Sequence, residues 1–184
     1  MLKMIVAISE NRGIGLGNKM PWNIRRDMKY FKKTTIGNGN NCVIMGKNTW
    51  NSFEGLKGEP LPKRDKIVMS RNELNILASN TQTAKNIDQV YELCNKKKYD
   101  DIWVIGGEKI YTSFLNKGLV DTVYITEILK NYECDTFFPE LSNDFDISHT
   151  TEIVWENEVG MKFTIWEKRE ISKPGIIVKG LHAF

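Results

Sequence analysis

The chain has 184 residues, a length that one hydrophobic core can serve, and 41% hydrophobic against 27% charged residues is typical of a soluble globular protein. Lysine and arginine exceed aspartate and glutamate by 26 to 23, and a net charge of +3 is too small to indicate nucleic acid as the main partner. Three cysteines and two histidines argue against a disulfide framework, a zinc site and a histidine-based catalytic triad.

Predicted strands and helices alternate through the first half of the chain. The strands are short apolar runs, and the helices carry apolar residues at intervals of three and four. Residues 11–23, between the first strand and the first helix, form a glycine-containing loop that Pro21 and Trp22 close. In chain order the elements are a strand at 2–9, a helix at 25–35, a strand at 41–45, a helix at 47–53 and strands at 65–70 and 74–78.

The second half continues this alternation and ends in a hairpin. In chain order it contains a helix over 87–94, a strand at 102–105, a helix at 108–116 and strands at 122–128, 146–157 and 160–168. The short link between the last two strands predicts antiparallel pairing. The whole pattern predicts an α/β fold with a mostly parallel sheet, flanking helices and an antiparallel edge. It covers residues 1–169 as one domain, and residues 170–184 form a C-terminal extension without an assigned role.

Asp27 is the most informative single residue. It shares its predicted helix face with Ile24 and Phe31, so it points toward the core or a cleft. A buried carboxylate without a partner costs several kcal/mol, roughly, unless it is protonated or hydrogen-bonded. Asp27 therefore belongs to a buried ion pair, or lies on a helix of different phase, or binds a ligand and has a raised pKa.

Three glycine-containing segments invite comparison with phosphate-binding loops. Gly13, Gly15 and Gly17 lack the spacing of the dinucleotide-binding fingerprint, and no helix follows them, so a mobile loop is the better interpretation. Gly46 and the pair Gly106–Gly107 each end a strand and precede a helix, where backbone donors and the helix dipole favour an anion. Simple helix capping explains each of these two junctions equally well.

Two arginines follow turns where they could take anionic groups. Ser70 and Arg71 end a predicted strand, and a hydroxyl beside a guanidinium can clamp a phosphate. Arg64 follows Pro60 and Pro62, which form a stiff segment that could hold it over a cleft. Taken alone, each arginine is more often a solvated surface residue.

A set of short motifs occurs in the order and spacing of one enzyme family. In chain order they are Ile14-Gly15, Met20-Pro21-Trp22-Asn23, Asp27 with Phe31, Met45-Gly46-Lys47-Asn48-Thr49-Trp50, Pro60-Leu61-Pro62 with Arg64, Val104-Ile105-Gly106-Gly107 with Ile110 and Tyr111, and Asp135-Thr136 with Phe138-Pro139. The ordered set resembles dihydrofolate reductases over residues 1–169. The resemblance implies that family's mixed, mostly parallel eight-stranded sheet with an antiparallel C-terminal hairpin.

The resemblance further implies reduction of dihydrofolate to tetrahydrofolate by NADPH, with hydride added to carbon 6 and a proton to nitrogen 5 of the pterin. Asp27 matches the acid that binds the pterin, Thr126 the threonine that supports it, and Trp22 the tryptophan that helps to hold a water. In the family this acid lies too far from nitrogen 5 to protonate it, so a water is the implied donor. Arg64 matches the arginine that binds the α-carboxylate of the substrate's glutamate. The other positions that match the substrate site are Ile5, Val6, Ala7, Met28, Phe31, Ser52, Phe53, Leu61, Ile105 and Tyr111.

The resemblance also implies an NADPH site. Lys47 and Arg71 match basic groups that we assign to the 2′-phosphate, the Gly106–Gly107 peptide bond is expected to be cis, and closure of residues 11–23 would exclude water. Glu108 stands where some members have a small residue, and its carboxylate would weaken binding if it faced the diphosphate. The positions that match this site are Ala7, Ile14, Gly15, Gly46, Lys47, Asn48, Thr49, Ser70, Arg71, Ile105, Gly106, Gly107, Glu108, Lys109, Ile110 and Tyr111.

Composition and resemblance together set the expected partners. No apolar run reaches the roughly 18 residues of a membrane span, and residues 1–9 do not have the pattern of a cleaved signal. We expect a cytoplasmic monomer that binds dihydrofolate and antifolate inhibitors, without metal, membrane or nucleic acid. Two alternatives stay open: a related reductase of riboflavin synthesis, which needs neither Arg64 nor an acid at 27, and a non-catalytic binding module.

Overall fold

A computed structural model describes residues 2–76 and 78–169, and its central feature is a mixed β-sheet flanked by helices. The predicted extension at 170–184 lies outside the described residues. The strands are β1 Leu2–Ser9, β2 Gly13–Gly15, β3 Cys42–Gly46, β4 Asp65–Met69, β5 Thr81–Ala84, β6 Ile102–Val104, β7 Thr122–Ile128, β8 Thr136–Phe137, β9 Phe145–Thr150, β10 Val154–Glu156 and β11 Val159–Lys168. The helices are α1 Arg25–Ile36, α2 Lys47–Asn51, α3 Ile87–Asn95 and α4 Glu108–Asn116.

The main sheet has the order β10-β11-β7-β1-β6-β3-β4-β5. Strands β1 and β3 to β7 run parallel, and β11 is antiparallel to β7. Strand β9 pairs with the same free edge of β11 that holds β10. Nine strands therefore fill eight positions, which confirms the predicted eight-stranded, mostly parallel sheet with an antiparallel C-terminal hairpin. The hairpin turn is Asn157–Glu158, where both residues have positive φ, as a two-residue turn of this twist requires.

The strand predictions for three segments are wrong in detail. Residues 74–76 form no strand, and Leu74 and Ile76 pack against the core from outside the sheet. The edge strand is instead β5, whose polar sequence gives no apolar signal and whose place is set by pairing with β4. The single strand predicted at 146–157 is interrupted between β9 and β10, and the short antiparallel pair β2–β8 was not predicted.

The two faces of the sheet bury different helices. The core on one face contains the apolar side chains of α3 and α4, while α1 and α2 lie over the other face. This second cluster is formed by Ile5, Val43, Met45, Val68, Trp103 and Ile105, with Tyr30, Phe31, Trp50, Phe53 and Leu61 packed against it. Helix α1 therefore lies over the face of the sheet that contains Ile5 of β1, and this placement builds the candidate site.

Candidate active site

The carboxyl group of Asp27 is buried where the first turn of α1 meets β7. Asp27 is 5% exposed and lies beside Thr126, which is itself buried and whose hydroxyl is placed to donate to the carboxylate. Burial raises the pKa of Asp27 to about 6, and the hydrogen bond from Thr126 opposes this rise because it favours the ionised form. Among residues 2–76 and 78–169, Asp27 makes no ion pair, which excludes the ion-pair interpretation there.

The start of α1 is fixed from another part of the chain. Ile24 at the N-cap provides no side-chain hydrogen bond. Instead, the carboxylate of Glu156 on β10 accepts hydrogen bonds from the backbone N–H groups of Arg25 at 2.8 Å and Arg26 at 2.9 Å. These two amides would otherwise lack partners, since the first turn of a helix has no intrahelical acceptors. Glu156 thereby sets the position of the turn that carries Asp27.

Two tyrosines near Asp27 keep their protons. Burial raises the pKa of Tyr30 to about 12, and the charge of Asp27 adds to the rise. Burial also raises the pKa of Tyr111, whose hydroxyl donates to the backbone oxygen of Ile5 at 2.8 Å. Both phenols are therefore neutral at physiological pH and line the region as hydrogen-bonding or apolar groups, not as bases.

Trp22 supplies a buried donor close to the start of α1. It is 7% exposed and packs edge-on against Tyr132, with 5.3 Å between ring centroids. Its indole Nε1 has no hydrogen-bond acceptor in the described part of the chain. Buried indole N–H groups normally have an acceptor, so this atom is available to a water or to a ligand oxygen.

Arg64 lies just before β4 and meets α1 at Thr35, two turns after Asp27 on the same helix face. Its Nη1 donates to Thr35 Oγ1 at 2.7 Å, its Nε donates to the backbone oxygen of Pro62 at 3.2 Å, and its guanidinium lies 5.9 Å from the ring centre of Phe31. Arg64 is 4% exposed, and burial lowers its pKa to about 10. No carboxylate of the described residues pairs with it. The site therefore holds a buried cation that needs an anion.

The two predicted glycine junctions lie side by side. Gly46 ends β3 and donates to the backbone oxygen of Gly106, which follows β6, at 2.8 Å. The peptide bond between Gly106 and Gly107 is cis, as expected. A Cβ on Gly46 would lie 3.0 Å from Cγ1 of Ile110, so a side chain there would crowd the junction. Gly46 and Gly107 are the N-caps of α2 and α4 and provide no side-chain cap, which leaves amide donors free for a ligand.

The other residues predicted to contact substrate or cofactor differ in their packing and exposure. Phe31, Phe53, Leu61 and Ile105 pack with the cluster under α1, and Ile5 belongs to it. The side chain of Val6 packs on the opposite face of the sheet, and the hydroxyl of Ser52 donates back to its own helix. Ala7 packs beside Trp22, Met28 is 43% exposed, Thr49 and Glu108 are half-buried, and Ile14 and Ile110 pack on the α3 and α4 side. The exposed polar positions at this edge are Lys47, Asn48, Arg71 and Lys109, with Ser70 half-buried beside them.

The loop after β1 is held by hydrogen bonds that the sequence did not predict. Gly15 is buried in β2, which pairs with β8, and its backbone oxygen accepts from the N–H of Asp135 at 2.9 Å. The N–H of Gly17 donates to the carboxylate of Asp135 at the same distance. This part of the predicted mobile loop is therefore tied to the segment around residue 135.

Three residues with a role in the site were not predicted: Tyr30, Thr35 and Glu156. Thr35 carried a usable signal, because it follows Asp27 by eight residues and Phe31 by four, so the three share one helix face. Glu156 carried none, since its contact with α1 depends on how the hairpin folds back.

Residues 2–76 and 78–169 contain no group of three or more histidine, cysteine, aspartate and glutamate side chains placed to hold a metal ion. No helix in this described part has the length and apolar character needed to cross a membrane.

Comparison with known proteins identifies close relatives over almost the whole chain. A family model described as dihydrofolate reductase matches residues 1–168. The dihydrofolate reductase of Aedes albopictus is 31% identical over 90% of this chain and 96% of its own length. The corresponding enzymes of Gallus gallus and Sus scrofa are 32% and 34% identical, over 94% and 91% of this chain and 98% and 97% of their own lengths.

Proposed function

The chain belongs to the dihydrofolate reductase family and reduces dihydrofolate to tetrahydrofolate with NADPH, and from this premise we propose that Asp27 and Arg64 bind the two ends of the substrate. The observation that carries the proposal is a pair of buried, opposite charges along one face of α1, Asp27 on the helix and Arg64 against its Thr35, neither of them paired within the described residues. A ligand that supplies the counterpart of each charge removes the cost of burying it unpaired.

At the pterin end, Asp27 accepts two hydrogen bonds, from the ring amide nitrogen and from the exocyclic amine. Thr126 holds the carboxylate in place, since its hydroxyl already donates to it. Donors of the substrate favour the ionised acid, and that negative charge raises the basicity of the ring and orients it. Asp27 thus binds the substrate, and Thr126 positions Asp27.

At the other end, Arg64 binds the α-carboxylate of the substrate's glutamate. Its hydrogen bonds to Thr35 and to the Pro62 carbonyl fix the guanidinium and leave the Nη2 group for the ligand. Phe31 and Leu61, which pack against the cluster under α1, border the space between the two charges. They suit the flat, apolar aminobenzoyl part of dihydrofolate.

The residues at the Gly46 and Gly106–Gly107 junctions fit a dinucleotide. Side chains on Gly46 or Gly106 would crowd Ile110 or Tyr111, and the uncapped first turns of α2 and α4 offer N–H donors to phosphates. Lys47 and Arg71, both exposed at this edge, would bind the 2′-phosphate. When bound, NADPH supplies the hydride that adds to carbon 6.

The proton for nitrogen 5 comes from a water that Trp22 helps to hold. The buried Nε1 of Trp22, which has no acceptor among the described residues, supports this role. Asp27 polarises the ring and does not transfer its own proton to nitrogen 5. Closure of residues 11–23 over the site would keep bulk water out during the reaction.

We further propose that the protein is a cytoplasmic monomer, that residues 1–169 are its catalytic domain, and that nucleic acid is not a partner. The three cysteines, all unpaired, suit a reducing compartment. The small net charge of +3 gives no electrostatic footprint for nucleic acid. Light scattering on the purified protein measures the oligomeric state directly.

The decisive assay follows NADPH absorbance with and without dihydrofolate, in the wild type and in Arg64→Leu. Turnover should depend on dihydrofolate, and Arg64→Leu should raise KM by roughly 30-fold or more with little change in kcat, because losing one partner of a buried charge pair costs about 2–5 kcal/mol. NADPH that binds without being oxidised would contradict the reaction. An unchanged KM would contradict the role of Arg64.

A further inference from the structure

Glu59 and Lys66 form an ion pair that joins the two ends of the segment containing Arg64. Lys66 lies on β4, and its side chain is fully buried. Its Nζ donates to Oε1 of Glu59 at 2.8 Å, and the hydroxyl of Ser79 donates to the same oxygen at 2.9 Å. The hydrogen bonds from Lys66 and Ser79 lower the pKa of Glu59, so the carboxylate is ionised at neutral pH. A charged lysine without this partner would be costly to bury.

The segment inside this closed loop has a backbone that needs support. Leu61 has a φ of 50° and Lys63 a φ of 63°, both in the left-handed region that residues with side chains rarely adopt. Such conformations persist only where the surrounding contacts hold them. The Glu59–Lys66 pair spans this segment, since one partner precedes it and the other follows it on the sheet.

Arg64 depends on this segment for its own position. Its Nε donates to the carbonyl of Pro62, which lies inside the loop that the ion pair closes. Alternation along β4 places Lys66 on the same face of the sheet as Val68, whose side chain belongs to the cluster under α1. The buried lysine therefore anchors the loop on the side of the sheet where Arg64 meets Thr35.

We propose that Glu59 and Lys66 are positioning residues for Arg64 and that they determine the preference for substrates that carry a carboxylate tail. This inference rests on the proposed function, in which Arg64 binds the α-carboxylate of dihydrofolate. The side-chain hydrogen bonds of the pair involve only Glu59, Lys66 and Ser79, none of which is assigned to the pterin or the cofactor. The pair acts only through the segment of residues 60–64, so its loss should weaken binding only at the glutamate end of the substrate.

The experiment compares two substrates in five variants. Dihydrofolate carries the glutamate tail, and 6-methyl-7,8-dihydropterin ends at its methyl group. Glu59→Ala and Lys66→Met should each raise KM for dihydrofolate by about tenfold, a loss of about 1.4 kcal/mol, while kcat and the KM for the tailless pterin change less than about twofold. Glu59→Gln keeps an oxygen that can accept from Lys66 and Ser79, and it should restore most of the affinity for dihydrofolate.

The control is Asp146→Ala on β9, which breaks an exposed ion pair with Arg169 at the opposite edge of the sheet. It should leave both KM values unchanged. If Glu59→Ala and Lys66→Met weaken both substrates equally, or neither, the positioning role is wrong.

Arg64→Leu separates this inference from the proposed function. If Arg64→Leu weakens dihydrofolate alone and Glu59→Ala does not, the inference fails while the proposed function stands. If Arg64→Leu affects both substrates equally, the proposed function of Arg64 fails, and the inference fails with it.

Discussion

Replacing Asp27 by asparagine should make the folded protein more stable at neutral pH while it removes most of the activity. Burial raises the pKa of this carboxyl group from 3.8 to about 6, a rise of roughly two units. Each unit corresponds to about 1.4 kcal/mol, so keeping the ionised acid in the folded protein costs about 3 kcal/mol. Asparagine has no charge to desolvate, and its side-chain oxygen can still accept from Thr126.

The gain in stability depends on pH with a definite sign. Below the unfolded-state value of 3.8, the acid is protonated in both states, and the wild type bears no cost. Between 3.8 and about 6, the unfolded chain has released the proton that the folded protein retains, so wild-type stability falls as pH rises. Above about pH 6 the acid is ionised in both states, and the folded protein bears the full cost of burying its charge. The advantage of Asp27→Asn should therefore be close to zero near pH 4 and reach about 3 kcal/mol near pH 8.

The assay is chemical denaturation of both proteins across this pH range, together with kcat at neutral pH. Asp100→Asn is the matched control, because Asp100 is exposed, and its stability difference from wild type should not vary in this way. Turnover of Asp27→Asn should fall by roughly 10²–10⁴-fold, the usual scale for losing acid–base assistance, while NADPH still binds. A stability difference that is the same at every pH, or unchanged turnover, would refute the reasoning.

Three further substitutions test the remaining assignments. Thr126→Val removes the donor that stabilises the ionised form of Asp27, so the pKa of that acid should rise above its value of about 6. The pH profile of kcat/KM should then move to higher pH. An unchanged profile would exclude the hydrogen bond. Arg71→Ala should weaken NADPH far more than NADH in binding titrations, and equal losses would show that it does not contact the 2′-phosphate. Thr35→Val removes the acceptor of Arg64 Nη1 and should raise KM for dihydrofolate by about tenfold at unchanged kcat. An unchanged KM in steady-state kinetics would contradict this role of Thr35.

The elements that the sequence predicted well are those whose pattern is a local property. Strand β1 is a continuous apolar run bordered by glycines, and α1 and α4 carry apolar side chains at helical spacing, so their bounds agree closely with prediction. The burial of Asp27 followed from the same periodicity. The placement of Arg64 against Thr35 of the same helix did not, because that depends on how β4 lies beside β3 under α1.

What the sequence could not provide are contacts made across the fold. Strand β5 is polar, and only its pairing with β4 at the sheet edge makes it a strand. Lys66 looks like a surface lysine in the sequence, yet its side chain is fully buried because Glu59 lies over it. Thr35 shares a helix face with Asp27 and Phe31, but its contact with Arg64 depends on how the chain before β4 meets α1.

The spacing of the two buried charges restricts the ligand more than either charge does alone. Asp27 and Thr35, the partner of Arg64, are eight residues apart on α1, which is about 12 Å at 1.5 Å per residue. A ligand that satisfies both must carry hydrogen-bond donors at one end and an anion at the other, with an apolar middle beside Phe31. Dihydrofolate has this arrangement. A substrate without a distant anion would leave Arg64 buried and unneutralised, so the geometry argues against any such substrate.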